Sequence, residues 1–260
     1  MLSIIVPFYN CMEYTSLCVE SVCDNTTDFE IILIDNGSNE KEYDSFYDNM
    51  LWKEQNNSIS FSNVRVIKNE TNLGFPKAVN QGLMESKGDI ICVLNNDVVV
   101  TPGWANNLMW HLDNGVDIVS PRTNFIDGPQ IVLIDRYDNK GELYSAARKF
   151  HKNNLHKKWR FSRLVGFCLL FKRGVYEAIG GFNEGFGIGN FEDDDWGLRA
   201  IDAGYKCAIA RDVYVHHFGS KTHEIMKLDY KQLLSVNRKI FESIWTRDKI
   251  KQLEQKNEED

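Results

Sequence analysis

The nine residues Asp89–Asp97, with the sequence DIICVLNND, decide the fold class of this 260-residue chain. Five consecutive apolar residues are typical of a strand that is buried on both faces, and three polar residues then end it. Similar runs occur earlier at Leu2–Val6, Glu30–Ile34 and Val64–Ile67, each followed by a more polar, helix-like stretch. Apolar strands that alternate with helices predict an α/β fold with a mostly parallel central sheet, covered by helices on both faces.

Polar residues follow three of the predicted strands, at Asn10, at Asp35 and at Asn95–Asp97. Ligands of parallel sheets bind beyond the carboxyl ends of the strands, so we expect a binding site at this edge. The chain lacks a Gly-x-Gly-x-x-Gly motif after the first strand and lacks a Walker glycine-lysine loop. These absences argue against a dinucleotide-dependent dehydrogenase and a P-loop ATPase.

Composition narrows the class of protein further. A formal net charge of -7 and a sequence pI of about 5.5 argue against a general affinity for nucleic acid. The apolar start ends at Pro7 and has no preceding basic residues, which favours a buried strand over a signal peptide. The six cysteines show no Cys-x-x-Cys spacing. They predict reduced, core-packed thiols in a cytoplasmic protein without a zinc site.

The second half of the chain is less regular. Thr101-Pro102 predicts the start of a helix that continues to about Leu112, because a capping residue precedes a proline. Arg122–Arg163 is polar and without a clear period. Its last part, Arg148–Arg163, holds seven basic residues and no acid. This basic stretch is interpreted either as a binding surface for phosphates or an anionic membrane, or as a solvated mobile loop.

Regular secondary structure is predicted again towards the C-terminus. The pattern predicts strands at Gly166–Phe171 and Cys207–Val215 and a helix at Arg173–Ile179. Apolar residues at helical spacing in Asp229–Trp245 predict an amphipathic tail helix. We expect this tail to pack on the chain's own core, with a dimer or membrane contact as the alternative.

Four consecutive acids, Glu192-Asp193-Asp194-Asp195, lie between Phe191 and Trp196. Adjacent carboxylates repel one another, so this pattern favours a site in which a cation or a proton-transfer task holds at least one of them. The alternative is the acid-rich first turn of a helix over Trp196–Ala203, which the helix dipole stabilises.

Other single residues have two interpretations each. Asp97 follows a buried strand, where it either binds a divalent cation or forms a turn with the preceding asparagines. Asp35 either accepts a hydrogen bond from a base or ribose or forms an Asx turn. His216 and His217, at the end of a strand, are either structural hydrogen-bonding residues or ligands of a manganese-type metal.

Seven segments of the chain, taken in their order along the sequence, resemble the inverting family-2 glycosyltransferases with the GT-A fold. The resemblance is to the bacterial rhamnosyltransferase-like members in particular. The resemblance covers roughly Leu2–Lys221. The matching segments are Ser3–Asn10, Ile34–Ser38, Asn72–Phe75 with Ala78 and Asn80, Asn95–Asp97, Gly180–Glu184, Phe191–Trp196 with Leu198–Ala200, and His216–Ser220.

The resemblance implies roles for named residues. Asp97 would hold a divalent cation, Mn²⁺ or Mg²⁺, with His217 or His216 as a further ligand, and Asp193 would be the general base. The metal motif has asparagine at its first position, so only Asp97 is anionic there. Contacts to the nucleotide, the sugar or the acceptor would come from a larger set: Pro7, Tyr9, Asn10, Asp35, Asn72, Gly74, Lys77, Asn96, Glu192 and Trp196.

The resemblance also implies an activity and an organisation. The chain would transfer a hexosyl or deoxyhexosyl group from a nucleotide-sugar donor to a glycan, a lipid-linked saccharide or a protein, with inversion. The alternative is a non-catalytic sugar-nucleotide or glycan-binding relative. Residues 1–98 would bind the donor, residues 99–221 would bind the acceptor and carry catalysis, and residues 222–260 would form a C-terminal helical tail. We expect a cytoplasmic protein with no nucleic-acid partner; a peripheral contact with the inner face of the membrane and a homodimer stay open.

Overall fold

In the computed structural model, the described residues are 1–55, 61–219 and 229–259. Within these ranges the nine strands are β1 Leu2–Phe8, β2 Phe29–Asp35, β3 Val64–Lys68, β4 Ile90–Leu94, β5 Val98–Val99, β6 Ile118–Thr123, β7 Lys158–Arg160, β8 Cys168–Lys172 and β9 Cys207–His217. The α-helices of the same ranges are α1 Met12–Asn25, α2 Glu40–Gln55, α3 Phe75–Glu85, α4 Trp104–Asp113, α5 Lys140–Asn154, α6 Arg173–Ile179, α7 Glu192–Asp202, α8 Tyr230–Ile244 and α9 Arg247–Glu259.

The N-terminal half of the sheet is parallel, as predicted. Its strands lie in the order β3-β2-β1-β4, and every neighbouring pair is parallel. The register pairs Phe8 with Asp35, so the ends of β1 and β2 are level. Polar residues that follow these strands therefore come together at one edge of the sheet.

The second half of the sheet is mixed. The order continues as β8-β6-β9-β5, with β8 antiparallel to both β4 and β6, and β9 parallel to β6. Leu94, at the end of β4, pairs with Cys168, at the start of β8. The segment that enters β8 therefore lies at the same edge as the carboxyl ends of β4, β6 and β9.

Helices cover both faces of the sheet. Successive residues of each strand point to opposite faces, so each strand packs against both helical layers. On one face Ile4 and Val6 pack with α1, α2 and α4, whose contributions include Trp104. On the other face Ile5 packs with α3, α6, α7 and α8, which include Trp196. Each fully buried aliphatic or aromatic side chain contributes on the order of 1.5–3 kcal/mol to folding.

The prediction that Arg122–Arg163 is irregular is wrong. It contains the helix α5 and the strand β7. The side chain of Asn139 accepts a hydrogen bond from the N–H of Glu142 and so caps α5. The basic stretch is thus the end of a helix and a short strand that pairs with β9, and not a loop. The start of α4 is also corrected: it begins at Trp104, and Thr101 donates a hydrogen bond to the carbonyl of Tyr214 instead.

The tail helix packs on the chain's own core, as expected. Phe241 of α8 and Trp245, which follows it, are both buried in the cluster that contains Trp196. Cys23 is half-buried and the other five cysteines are buried. Burial raises the pKa of the Cys23 and Cys207 thiols to about 12. Of the helices in the described ranges, none combines the length and apolar character needed to cross a bilayer. The predicted boundary at residues 221 and 222 lies outside the described residues, as does Ser220.

Candidate functional site

A buried acid and a buried imidazole face each other at the polar edge of the sheet. Oδ1 of Asp97 lies 3.1 Å from Nε2 of His217. Asp97 lies in the turn between β4 and β5, and His217 is the last residue of β9. The antiparallel pairing of Val98 with His217 brings the two together. Their side chains are 7% and 8% exposed, so solvent screens their interaction weakly.

The segment after β6 holds His217 in place. The side-chain amide of Asn124 both donates to the carbonyl and accepts from the N–H of His217. Phe125 accepts a hydrogen bond from Nδ1 of the ring through its carbonyl, at 2.9 Å. The ring of Phe167 stacks on the imidazole at a centroid distance of 5.4 Å. Both the backbone and the ring orientation of His217 are therefore fixed.

The hydrogen bonding of His217 fits a divalent cation. A carbonyl only accepts, so Nδ1 carries a hydrogen, and in the neutral tautomer the lone pair of Nε2 then faces Asp97. Two acceptors at 3.1 Å repel unless they share a proton or a cation coordinates both. A histidine that donates its other N–H to a carbonyl is the usual arrangement of a metal ligand.

Two protein ligands leave room for others. Among the residues that the structure describes, no group of three or more His, Cys, Asp and Glu side chains surrounds a possible metal position. Mg²⁺ and similar ions are commonly held by one or two protein groups together with phosphate oxygens. Asp97 and His217 thus suit a cation that arrives with a diphosphate.

His216 does not share this position. Because neighbouring strand residues point to opposite faces, His216 faces away from Asp97. Its Nδ1 is hydrogen-bonded to the hydroxyl of Tyr137 at 2.6 Å, and Tyr137 contacts Tyr214 in turn. Burial, with His217 nearby, lowers the pKa of His216. Of the two histidines predicted as alternative ligands, the structure places His217, and not His216, beside Asp97.

Asp193 lies at the same edge, in the first turn of α7. Its Oδ2 accepts from the N–H of Gly166 and its Oδ1 from the N–H of Asp194, both at 2.9 Å. Burial, and then the charge of Asp194, raise the pKa of Asp193 to about 6. A half-buried carboxylate with this pKa is suited to accept a proton near neutral pH.

The neighbouring acids have different environments. Glu192 is buried, and burial followed by the charge of Asp193 raises its pKa well above the usual range. Asp194 forms a bidentate pair with Arg163, at 2.9 and 2.6 Å. These acids occupy the first turn of a helix, as the alternative interpretation held, and the sequence reasoning missed Arg163 as their counter-charge.

Asp195 and Trp196 are structural. Asp195 is 1% exposed and accepts from Arg199 and from the indole N–H of Trp245, both at 2.9 Å. Trp196 is fully buried and stacks on Phe182 at 5.3 Å. The prediction that Trp196 shapes a sugar or acceptor pocket is therefore wrong. The helical period of α7 turns both residues towards the sheet while Asp193 faces the edge.

Asp35 has one satisfied and one free oxygen. Oδ1 accepts from the N–H of Ser38, which forms the turn of the alternative interpretation. Within the described part of the chain, the buried Oδ2 has no hydrogen-bond partner. A buried carboxylate oxygen without a donor is costly, so it is available to a ligand that donates a hydrogen. Asn10 is bound to the same turn: its Oδ1 accepts from Asn39, and its N–H donates to Ser38.

An asparagine network shapes the loop before α3. Asn36 donates to Asn72 and accepts from Asn69 and from the N–H of Leu73. The loop ends at Gly74, whose φ is +88°. A Cβ there would lie 2.0 Å from the carbonyl oxygen of Gly187. Only glycine permits this close approach between the loop and the segment that leads to α7.

The remaining predicted contacts fall in several environments. Pro7 is buried within β1, while Tyr9 is half-buried and Lys77 is exposed on the first turn of α3. Asn96 is buried, and its amide donates to Thr15 at 2.9 Å. Asn96 thus fixes α1 to the turn, and its contact with a ligand stays a prediction. Asn95, the half-buried first residue of that motif, was not among the predicted ligand contacts.

Asp193 and Asp97 are connected through two short contacts. Asp193 binds the N–H of Gly166, and the next residue, Phe167, accepts from the N–H of Asn95 at 2.9 Å. Phe167 also stacks on His217. The acid cluster and the Asp97–His217 pair therefore both contact the segment Gly166–Phe167, just before β8.

Known proteins match this chain over most of its length. The family model described as Glycosyl transferase family 2 matches residues 3–180. The chain is similar to Glycosyltransferase AglE of Haloferax volcanii, with 25% identity over 235 residues that cover 88% of this chain and 70% of that protein. It is also similar to the uncharacterized protein y4gI of Sinorhizobium fredii, with 27% identity over 236 residues, 86% of this chain. The chain spans 25% of the length of y4gI.

Solved structures share the architecture. GalNAc-T7, solved with UDP, GalNAc and Mn²⁺, gives a TM-score of 0.65 at 18% identity, covering 84% of this chain and 43% of that one. The mannosyltransferase PcManGT from Pyrobaculum calidifontis, in complex with GDP-Man and Mn²⁺, gives 0.60 at 18% identity, covering 86% and 59%. At such identities the likeness concerns the fold, and it confirms the predicted GT-A type α/β fold.

Proposed function

This chain belongs to glycosyl transferase family 2, and from that membership we propose that it transfers a sugar from a nucleoside-diphosphate donor to a hydroxyl group with inversion. The observation that carries the proposal is that Asp193 and the Asp97–His217 pair both contact the segment Gly166–Phe167 before β8. A single displacement requires a base near the attacking hydroxyl and a stabilised leaving group, and these residues supply one of each.

Asp97 and His217 would hold the divalent cation, either Mn²⁺ or Mg²⁺. Their facing acceptors, and the N–H of His217 on the carbonyl of Phe125, support this role. When bound, the cation would neutralise negative charge on the diphosphate as it leaves. The mannosyltransferase and GalNAc-T7 structures contain Mn²⁺, which agrees with this assignment.

Asp193 would be the general base. An unassisted sugar hydroxyl is a weak nucleophile at neutral pH. As the hydroxyl oxygen bonds to the anomeric carbon and the carbon–phosphate oxygen bond breaks, the hydroxyl proton passes to the Asp193 carboxylate. The N–H groups of Gly166 and Asp194 fix the orientation of that carboxylate before the reaction.

The loops of residues 1–98 would bind the nucleotide. Oδ2 of Asp35 would accept a hydrogen bond from a ribose hydroxyl or a base N–H. The next residue, Asn36, donates a hydrogen bond to the carbonyl of Gly74 and so holds the loop that ends there close to Asp35. Pro7, Tyr9 and Lys77 stay predicted contacts on this side. Residues 99–221 would bind the acceptor, which we infer to be a hydroxyl of a glycan, a lipid-linked saccharide or a protein. A peripheral membrane contact and a homodimer also stay predictions.

Donor turnover tests the proposal. UDP-, GDP- and dTDP-sugars are incubated with Mn²⁺ and the release of nucleoside diphosphate is measured for the wild type and for Asp193→Asn. We expect release from at least one donor and a loss of at least about 100-fold in the variant. Asp202→Asn, which changes an exposed acid of the same helix, is the control. Equal rates for Asp193→Asn and the wild type would remove Asp193 as the base.

A further inference from the structure

The turn that leads into the acid cluster has an unusual backbone. Asn190 and Phe191 have φ angles of 79° and 72°, so two consecutive residues with side chains adopt the left-handed region. This conformation is strained for Phe191 and costs Asn190 less, and a strained residue persists only where the surroundings hold it. Phe191 directly precedes α7, whose second residue is Asp193. The strained turn therefore sets the position of Asp193.

Asn237 of α8 holds the carbonyls of this segment. Asn237 is 3% exposed, and its Nδ2 donates to the carbonyls of Phe186 at 2.8 Å and Gly189 at 2.7 Å. The carbonyl of Asn190 lies 3.3 Å from the same nitrogen. One amide group thus serves three carbonyls along the approach to α7.

Further residues of α8 contact the two strained residues. The hydroxyl of Tyr230 donates to Oδ1 of Asn190 at 3.0 Å. The ring of Phe191 lies 5.4 Å from the ring of Phe241 and 5.8 Å from the guanidinium of Arg238. The match to the family model ends at residue 180, so this contact between α8 and the turn lies outside the matched segment.

From these contacts we infer that α8 is a positioning element for the general base, and that Asn237 is its central residue. The inference rests on the proposed role of Asp193. The side chain of Asp193 fits a narrow space beside Gly166: a Cβ added to Gly166 would lie 3.2 Å from the Cβ of Asp193. If the turn relaxes, Asp193 moves away from the Gly166 N–H and gains contact with water.

Several charged or titratable side chains surround Asp193 and affect the pH at which its carboxyl group titrates. Glu192 and Asp194 lie on α7, Arg163 pairs with Asp194 from the segment before β8, and Tyr230 approaches from α8. Burial is the largest cause of the raised pKa of Asp193. Hydration of the carboxylate after loss of Asn237 would therefore move its titration towards lower pH.

Asn237→Ala removes the amide, and Asn257→Ala is its matched control. Asn257 is also a buried asparagine of the C-terminal tail, and it makes two hydrogen bonds to the backbone of Cys207, away from the turn. The Asp193 carboxyl is titrated by ¹³C NMR, with its resonance assigned from Asp193→Asn, and kcat and donor affinity are measured alongside. Asn237→Ser retains one donor and serves if the alanine variant does not fold.

We expect Asn237→Ala to lower the titration of Asp193 by at least about one pH unit and kcat by at least about ten-fold, with donor affinity within about two-fold. Asn257→Ala should leave the titration and kcat unchanged. Identical titration of Asp193 in the wild type and in both Asn237 variants would overturn the inference. A lowered titration in a protein that turns over no donor would instead refute the proposed function and leave Asn237 as the residue that holds the turn.

Discussion

The carboxylate of Asp97 and the imidazole of His217, 120 residues apart in the sequence, face each other at 3.1 Å across an antiparallel strand pair. The other ring nitrogen of His217 is committed to the carbonyl of Phe125. In the neutral tautomer of His217 both facing atoms are acceptors, so they suit a shared proton or a cation that coordinates both. This arrangement also separates His217 from its neighbour His216, which has the same chemistry and a different partner.

The two histidines provide a matched test of the metal assignment. We expect His217→Ala to weaken Mn²⁺-dependent binding of a nucleoside diphosphate by at least about ten-fold, because a ligand is lost. His216→Ala should retain the affinity, since it removes a contact with Tyr137. Isothermal titration calorimetry with and without Mn²⁺ measures both. Equal losses in the two variants would contradict the assignment of His217.

The pKa of Asp193 predicts the pH dependence of transfer. The base acts when deprotonated, so kcat/KM should fall about ten-fold per pH unit below a pKa of about 6. Asp194 raises that pKa through its charge. Asp194→Asn should therefore move the acid limb of the profile to lower pH, and it also frees Arg163, which acts in the same direction.

The same profile measured for Asp202→Asn is the control, because Asp202 pairs with Lys249 on the outer face of α7. Its acid limb should coincide with that of the wild type. A limb that stays in place in Asp194→Asn, or that lies near the usual carboxyl range in the wild type, would argue against Asp193 as the titrating group.

Substitution of two glycines by alanine distinguishes the cost of backbone strain from the cost of a steric clash. Gly74 and Gly115 have φ angles of +88° and +90°. A Cβ on Gly74 would meet the carbonyl of Gly187, whereas one on Gly115 would meet none of the described residues within 4 Å. Gly115→Ala should cost only about 1–2 kcal/mol of backbone strain. Gly74→Ala should cost more in urea unfolding and should weaken donor binding, because the loop must move. Equal stability losses and full donor affinity would show that the approach to Gly187 is not required.

The indole of Trp245 is predicted to stabilise α7 through Asp195. Trp245→Phe keeps most of the apolar surface but leaves one oxygen of a buried carboxylate without its donor. We expect a loss of about 1–3 kcal/mol in the free energy of unfolding, measured by denaturant titration. Trp104→Phe, which removes an indole bond to Thr26 on the opposite face, should cost a similar amount but leave kcat unchanged. A Trp245→Phe protein as stable as the wild type would contradict the role of this bond.

The pattern of apolar strands and polar strand ends predicted much of the fold and the edge that carries the site. The run Ile90–Leu94 identifies a doubly buried strand whatever its neighbours are, because hydrophobic burial depends on composition and period. The four acids at the start of α7 were also visible in the sequence as a candidate site. The helix α5 was missed because its buried face is short, with Leu143, Ala146 and Ala147 among many polar residues.

Only the tertiary structure decided which of these residues act together. His217 rather than His216 faces Asp97 because β9 pairs with β5 in one register, and a shift of one residue would exchange the two side chains. Asp195 is structural because Trp245 reaches it from 50 residues away, and Asp193 meets Gly166 across 27 residues. A sequence determines which side chains are polar or apolar locally. The partner of each buried charge depends on the packing of distant segments, because each such group must find its hydrogen bond within the folded chain.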